Sequence, residues 1–256
     1  MPLAAAATRT TTSAIRLRES KDAIPLMVIR TTNPRVSSIM TTSTIARCSL
    51  TTASLPIMGK GEVLRLDSVT STQDIARELP VGSIVIANYQ TAGRGRLDHR
   101  WDTPPSTALL VSFVLQPNPL LSLATGVAGA EACGPEVRLK WPNDLLLADR
   151  KVGGILVETA SDRAICGIGI NLTWAPDGAA KLEQPRDEVF ARLRIKMGEW
   201  SAAPAQRILG RWRELSATLG RRVRIDSTEG VAEDIGPAGE LIVDGQAYVA
   251  GSVTHL

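Results

Sequence analysis

Residues 136–160 read EVRLKWPNDLLLADRKVGGILVETA, and residues 163–174 read RAICGIGINLTW. Apolar runs alternate here with turn signals, and such short bounded runs are typical of buried β-strands. The turn signals lie at Pro142-Asn143, at Asp149-Arg150 and at Gly167. The middle of the chain is therefore predicted to form three or four strands of a sheet.

Two further apolar runs lie upstream, and a basic loop joins them. Residues 82–90 (GSIVIANYQ) and 107–117 (TALLVSFVLQP) both predict strands that are buried on at least one face. Between them, residues 90–104 read QTAGRGRLDHRWDTP. The planar guanidinium group of arginine forms paired hydrogen bonds with carboxylates and phosphates, and glycine lets backbone N–H groups approach a ligand. The loop therefore indicates an anion site, although GRGR alone fits a solvated surface loop equally well. Neither a P-loop nor a GxGxxG motif accompanies it.

Helical patterns flank these strands. In residues 71–80 (STQDIARELP), Ser71 or Thr72 is placed to cap a short helix that Pro80 ends. The other helical stretches are PLLSLATGVAGAEAC at 119–133, RDEVFARLRIKMGEW at 186–200 and PAQRILGRWRELSATL at 204–219. After Gly220 the short runs RRVRID, GVAEDI, ELIVDG and AYVAGSV predict a small barrel, which is too small to be stable without docking on the rest of the chain.

Composition separates the first 58 residues from the rest. Residues 1–58 are rich in serine and threonine and hold 7 Lys/Arg against 2 Asp/Glu, whereas the remainder holds 22 against 24. The net charge of +3 therefore belongs to this segment and gives no reason to expect a nucleic-acid partner. Three readings of the segment stay open: disorder, an organellar targeting sequence, or an upstream artefact with translation starting at Met58.

Cysteine and histidine usage limits the chemistry. The three cysteines, Cys48, Cys133 and Cys166, have no C-x-x-C spacing, and the chain has only two histidines. We therefore expect no protein-bound metal site and no disulfide framework, and a reducing, cytoplasmic compartment. No run approaches the roughly 18 apolar residues that a membrane span requires, so we expect no membrane partner.

Six motifs occur together in one order, and their set resembles the biotin–protein ligases. They are STQD at 71–74, YQTAGRGR at 89–96, RW at 100–101, KWPND at 140–144, RKVGGILVE at 150–158 and GIGINL at 167–172. The resemblance covers the chain from about Arg65 to the C-terminus. It implies an α+β fold with a mixed central sheet flanked by helices, as in class II synthetases, and an SH3-like C-terminal barrel. The implied domains are a catalytic one at 59–219 and the barrel at 220–256, after the segment 1–58.

The resemblance also implies a reaction. Family members condense biotin with ATP, aided by Mg²⁺, to form biotinyl-5′-AMP and pyrophosphate. They then pass the biotinyl group to one lysine of the biotin carboxyl carrier domain of a carboxylase. The Mg²⁺ is expected to arrive with ATP. The oligomeric state stays open, although family members often form homodimers edge to edge when liganded.

Site residues follow from the same resemblance. Lys140, Arg94 and Arg96 are the expected catalytic residues. The residues expected to bind biotin are Ser71, Thr72, Gln73, Gln90, Arg94, Gly95, Arg96 and Lys140. The residues expected to bind ATP or the adenylate are Arg94, Arg96, Trp101, Lys140, Asn143, Gly154 and Asn171. For Trp101, a core packing role is the alternative.

Departures from the family pattern leave other functions open. The usual loop is GRGRxGRxW, whereas here Asp98 and His99 replace a glycine and an arginine, Arg100 occupies the variable place, and Gln73 replaces an asparagine. The alternatives are a non-catalytic sensor of biotin or biotinyl-adenylate, and a lipoate ligase or octanoyltransferase. Residues 1–64 lack the periodicity of three packed helices, so we expect no DNA-binding activity.

Overall fold

The computed structural model describes residues 61–97 and 99–256. The hypotheses about residues 1–58, and the expectation for Asp98, fall outside the described residues.

A seven-stranded sheet forms the centre of the protein. Its strands are β1 (Val63–Val69), β2 (Ile84–Gln90), β3 (Ala108–Leu115), β4 (Val137–Lys140), β5 (Asp144–Leu147), β6 (Arg150–Thr159) and β7 (Ala164–Asn171). Their order is β1-β2-β3-β7-β6-β5-β4. β1 and β2 are parallel, and all other neighbours are antiparallel. The predicted α+β class with a mixed sheet is confirmed, and β1 is a strand that the sequence does not predict.

Helices cover both faces of this sheet unequally. They are α1 (Thr72–Ala76), α2 (Leu121–Cys133), α3 (Arg186–Ser201) and α4 (Ala205–Leu215). α2 is buried along nearly its whole length. It lies against the sheet because it carries small residues: a Cβ at Gly129 would stand 2.7 Å from Ile168 Cδ1. α3 and α4 pack on α2, whereas α1 lies over a separate small apolar cluster with Val85 and Val114.

A second sheet forms the C-terminal part. Its antiparallel strands are β8 (Arg222–Ile225), β9 (Thr228–Ile235), β10 (Leu241–Val243), β11 (Gln246–Tyr248) and β12 (Val253–His255). The run AYVAGSV, predicted as one strand, is divided between β11 and β12. Gly251 lies in the break with a φ of 147°, a conformation that favours glycine. The boundary at Gly220 stays a prediction.

The C-terminal sheet docks on the central one, as its size requires. Its buried residues Val223, Leu241 and Val253 belong to the same hydrophobic core as the central sheet. The indole Nε1 of Trp141 donates to the Gly239 carbonyl at 3.0 Å. None of the helices in the described ranges is long and apolar enough to cross a membrane.

Candidate active site

A cavity of about 440 Å³ lies over the α1 side of the central sheet. Eleven of the twelve predicted site residues line it. They are Ser71, Thr72, Gln73, Gln90, Arg94, Gly95, Arg96, Trp101, Lys140, Asn143 and Gly154. Asn171 is the exception: it is buried, and its amide nitrogen donates to the Ala180 carbonyl at 3.1 Å. The motifs that the sequence scatters over 84 positions, from residue 71 to residue 154, are thus brought to one cavity.

One transverse row of the sheet forms much of the cavity floor. Lys140 pairs with Asp144, Asp144 with Gly154, Gly154 with Gly169, and Gly169 with Leu110. All five residues line the cavity. Directly paired residues in a sheet share a face, so the lysine and the carboxylate lie at one end of the row and the two glycines in its middle.

The glycines make room for the indole ring of Trp101. A Cβ at Gly169 would stand 2.6 Å from Trp101 Cε2, and one at Gly154 would stand 3.1 Å from Cζ3. The ring therefore lies directly on the backbone of β6 and β7. Trp101 Nε1 is buried without a hydrogen-bond partner. The ring packs on the sheet and also lines the cavity, so the adenylate-binding role of Trp101 and its packing role both stay predictions.

Uncharged polar groups meet at the other end of the cavity, around the start of α1. Ser71 caps this helix, because its hydroxyl accepts from the Gln73 backbone N–H at 3.3 Å. The Thr72 backbone N–H and hydroxyl both donate to Gln90 Oε1, at 2.7 and 2.9 Å. Since a backbone N–H can only donate, the amide oxygen of Gln90 is the atom that faces Thr72. The amide nitrogen of Gln90 is left as a donor for a ligand.

Gln73 presents the opposite group. Its Nε2 donates to the Leu156 carbonyl at 2.9 Å, which fixes its orientation because a carbonyl can only accept. Its Oε1 is buried and has no hydrogen-bond partner. A Cβ at Gly167 would stand 2.8 Å from Gln73 Nε2, so this glycine gives the longer side chain its space. A buried acceptor without a partner is costly, and a ligand N–H would satisfy it.

The arginine loop folds back on itself beside the cavity. The Gly95 N–H donates to the His99 carbonyl at 2.7 Å, and the Trp101 N–H donates to the Gly93 carbonyl at 3.0 Å. Arg96 Nη1 donates to Asn143 Oδ1 at 3.3 Å, which joins the loop to the KWPND turn.

Arg94 is held by carboxylates at the base of this loop. Its Nη1 lies 2.8 Å from Asp74 Oδ1 and its Nη2 lies 3.6 Å from Glu158 Oε1. Arg77 pairs with the same two carboxylates, at 2.9 and 2.5 Å. The charge of Arg94 is therefore balanced before a ligand arrives, whereas Arg96 makes its contact with a neutral amide.

Several cavity residues are missed by the sequence reasoning. Asp144 and Lys151 form an ion pair of 2.6 Å in the cavity wall. Both lie inside motifs that carry the family resemblance, and that was the available signal. Gly251, Ser252 and Val253 of the C-terminal sheet also line the cavity, and no pattern in the sequence indicates this.

The described cysteines are unsuited to nucleophilic chemistry. Burial raises the pKa of the Cys133 thiol and of the Cys166 thiol to about 12. A thiol in that state is protonated at neutral pH, and the thiolate is the reactive form. Neither cysteine lines the cavity, so neither is a candidate nucleophile there.

Similarity to known proteins now identifies the family. The model of the biotin/lipoate A/B protein ligase family matches residues 63–173. The biotin–[acetyl-CoA-carboxylase] ligase of Mycobacterium tuberculosis is 32% identical over 212 residues, which cover 68% of this chain and 79% of that protein. The chain belongs to the biotin/lipoate A/B protein ligase family.

Other members of the biotin/lipoate ligase family are also similar to this chain. The biotin–[acetyl-CoA-carboxylase] ligase of Paracoccus denitrificans is 32% identical over 206 residues, or 64% of this chain and 84% of that protein. Among solved structures, the biotin protein ligase from Aquifex aeolicus in complex with biotin and ATP has a TM-score of 0.68 and 25% identity. The match covers 76% of this chain and 99% of that one. The expected resemblance to biotin–protein ligases is confirmed.

Proposed function

We propose that the protein is an ATP-dependent biotin–protein ligase that forms biotinyl-5′-AMP and transfers the biotinyl group to a lysine of a carboxylase's biotin carboxyl carrier domain. The observation that carries the proposal is the division of one cavity into an uncharged polar end and a cationic end. Biotin has the same division, with a cyclic urea at one end and a carboxylate at the other.

The uncharged end matches a urea group. The hydroxyl of Ser71 and the amide nitrogen of Gln90 are donors for the urea oxygen, and Gln73 Oε1 is an acceptor for a urea N–H. Because these groups are buried, an analogue without the urea would leave them unpaired and bind far more weakly. We propose that Ser71, Thr72, Gln73 and Gln90 bind biotin in this way.

The cationic end suits adenylate formation. In that step a biotin carboxylate oxygen attacks the α-phosphorus of ATP, a new P–O bond forms, and the bond to the departing pyrophosphate breaks. Both reactants are anionic, so cations placed where the charge develops lower the barrier. We propose this role for Lys140, Arg94 and Arg96, with Trp101, Asn143 and Gly154 forming the adenylate wall. Asn171 we propose as a support for the β7 end of the site.

Transfer follows at the same end. The acceptor lysine nitrogen attacks the carbonyl carbon of the mixed anhydride, the C–O bond to AMP breaks, and the amine loses a proton. Water must be kept from the anhydride, and closure of the loop at residues 93–101 would exclude it.

Mg²⁺ fits this site as a companion of ATP. Asp144 is the one carboxylate among the described lining residues, and residues 61–97 and 99–256 contain no cluster of three or more metal-binding side chains. We propose that the ion arrives on the triphosphate and neutralises part of its charge. We further propose a cytoplasmic enzyme that binds no nucleic acid, and a homodimer as its liganded state.

Pyrophosphate release tests the function directly. We expect the full chain to release pyrophosphate from Mg·ATP only when biotin is present, and to label a biotin carboxyl carrier domain. Lys140→Ala should lower both activities by about 100- to 1,000-fold. Lys181→Ala is the matched control, because Lys181 pairs with Glu183 outside the cavity. Biotin binding without release would instead support the sensor. Release with lipoate in place of biotin would support the lipoate ligase, and transfer of octanoate from an activated acyl donor without ATP would support the octanoyltransferase.

A further inference from the structure

Arg186, the first residue of α3, contacts β2 at the base of the arginine loop. Its Nη2 donates to the Ala87 carbonyl at 2.7 Å, and its Nη1 donates to the side-chain oxygen of Asn88. One guanidinium group thus binds two successive residues of β2. Arginine offers this paired geometry and lysine does not.

These two residues of β2 lie where β2 and β3 separate. The two strands pair as far as Ala87, and one residue further on the Ser106 N–H donates to the Asn88 carbonyl at 2.8 Å. The loop that carries Arg94 and Arg96 lies between Asn88 and Ser106 in the sequence. This bonded pair of residues therefore closes the base of the arginine loop, and we call it the loop stem.

The loop stem is held from several sides. Besides its bonds to Arg186 and Ser106, Asn88 donates from its Nδ2 to Asp67 Oδ1 of β1 at 2.9 Å. Ser106 has a φ of 63°, a left-handed conformation that residues other than glycine adopt at a cost. Such a conformation persists where the surrounding contacts determine it, and it is frequent beside functional sites.

The environment of Arg186 offers little stabilisation to the fold. Burial lowers the pKa of its guanidinium group, Asp187 opposes this in part, and Arg65 adds to it. Its Nε is buried without a hydrogen-bond partner among residues 61–97 and 99–256. Its two acceptors, a carbonyl and an amide oxygen, are both neutral. Because a partly buried cation without a bonded carboxylate is costly, we seek its contribution in the geometry of the loop stem.

We propose that Arg186 is a positioning residue that fixes the loop stem, so that the arginine loop closes over the cavity in one geometry. Gln90, two residues beyond Asn88, is held separately, because the backbone N–H and the hydroxyl of Thr72 both donate to its Oε1. Loss of Arg186 therefore loosens the loop more than the urea-binding end of the cavity. This inference rests on the proposed function.

A loosened loop admits water to the mixed anhydride. Water attacks the carbonyl carbon, the C–O bond to AMP breaks, and biotin and AMP leave after the loss of a proton. Pyrophosphate has then been released without any label on the carrier domain. The amount of label formed per pyrophosphate therefore reports how well the closed loop excludes water, a quantity distinct from the amount of folded enzyme.

Arg186→Lys keeps the charge but cannot hold both acceptors as arginine does. We expect labelling of a biotin carboxyl carrier domain to fall by about 10- to 100-fold, as for small displacements of catalytic groups. The label formed per pyrophosphate should fall below the wild-type value. The dissociation constant for biotin alone should stay within about twofold of wild type, because Gln90 is held separately. A wild-type ratio of label to pyrophosphate in Arg186→Lys would overturn the proposal.

Arg65→Gln is the matched control at the same end of α3. The Nη1 of Arg65 lies 3.2 Å from Asp187 Oδ1, and its guanidinium group lies 5.1 Å from the centre of the Phe190 ring. Neither contact involves the loop stem, so we expect this variant to keep the wild-type ratio of label to pyrophosphate.

Glu131→Gln separates positioning from stability. Glu131 accepts hydrogen bonds from Trp200 and Arg211 within the helical layer, so its loss should destabilise the fold without touching the loop stem. We expect the ratio of label to pyrophosphate to stay at the wild-type value in this variant. A ratio that falls as far as in Arg186→Lys would show that it follows stability alone, and would overturn the proposal.

Asn88→Ala tests the route from Arg186 to the loop. If Arg186 acts through the loop stem, the fold-loss of labelling in the double variant Arg186→Lys/Asn88→Ala should be smaller than the product of the two single losses. Fully independent losses would contradict this route. A wild-type protein that releases no pyrophosphate would contradict the proposed function itself, whereas an active wild type with an unaltered Arg186→Lys contradicts only the role of Arg186.

Discussion

Gly169 lies under the indole ring of Trp101, where a single methyl group does not fit. A Cβ there would stand 2.6 Å from Trp101 Cε2, so Gly169→Ala must displace the ring from the cavity wall. We expect pyrophosphate release to fall at least about tenfold, and the free energy of unfolding to fall by about 1–2 kcal/mol, as for other overpacked sites. Both are measurable on one preparation, by turnover and by urea denaturation.

Gly198→Ala is the control for this change. Gly198 lies in α3, and a Cβ there would meet no atom within 4 Å. We expect this variant to gain about 0.5–1 kcal/mol of stability, because alanine is the better helix former, with turnover unchanged. Wild-type turnover in Gly169→Ala would show that Trp101 does not shape the site.

Single residues also show what could be predicted of the site. Lys140 and the GRGR loop carry strong chemical signals in recognisable motifs, and both line the cavity. Lys151 could not be predicted, because its direction depends on a bulge that moves the β5–β6 register by one residue. Asn171 lies in a matching motif but outside the set of lining residues, with its amide nitrogen donating to the Ala180 carbonyl, so its role stays a prediction.

At the scale of elements, Glu131 ties three helices together. This side chain on α2, which is 13% exposed, receives hydrogen bonds from Trp200 of α3 and Arg211 of α4, and an ion pair from Lys196. Burial raises the pKa of Glu131, but the hydrogen bonds from Lys196, Trp200 and Arg211 together outweigh it and lower the pKa below its ordinary value. The charged form is therefore the one that the fold stabilises.

Glu131→Gln should therefore destabilise the helical layer. We expect a loss of about 2–4 kcal/mol in the free energy of unfolding at pH 7, because two cations lose a shared, largely buried partner. Glu214→Gln, which removes an exposed partner of Arg211, should cost under about 1 kcal/mol. Glu131 stabilises the fold at a pH above the pKa of glutamate in the unfolded chain. This stabilisation is lost as the pH falls through the lower pKa of Glu131 in the folded chain, so the unfolding free energies of the two variants should become similar in acid. Equal losses at pH 7 would contradict this role.

The elements differ in how far the sequence predicts them. β3 is buried along its whole length, and its run of apolar residues predicts a buried strand. β1 is an edge strand with mostly accessible side chains, VLRLDSV, so its pattern is weak and its partner, β2, lies across a helix. The division of AYVAGSV depends on the backbone at Gly251, which composition does not reveal.

At the scale of the whole molecule, the C-terminal sheet contacts the KWPND turn through Thr218. His255 Nε2 lies 3.1 Å from Thr218 Oγ1, and that hydroxyl accepts from the Trp141 backbone N–H at 3.1 Å. Trp141 directly follows Lys140 in the KWPND turn. Two sheets that are distant in sequence thus meet through one hydroxyl, and such a long-range contact cannot be read from local patterns.

This contact makes stability depend on pH. Burial, then the positive charges of Lys140 and Arg221, lower the pKa of His255 from its ordinary value, and Asp149 opposes them in part. Below a pH of about 6.5, His255 therefore binds a proton in the unfolded chain that it does not bind in the folded chain. The stability that depends on neutral His255 is fully present above that pH. It is lost as the pH falls toward the lowered pKa of His255 in the folded chain.

His255→Gln should remove this part of the pH dependence. Glutamine keeps a hydrogen-bonding group near Thr218 but does not titrate, so we expect the fall in unfolding free energy between pH 7.5 and pH 5.5 to be smaller than in wild type. Urea denaturation at the two pH values measures it. If His255→Gln and wild type lose the same stability on acidification, His255 does not titrate against the fold, and the link from the C-terminal sheet to Lys140 is a packing contact without an electrostatic part.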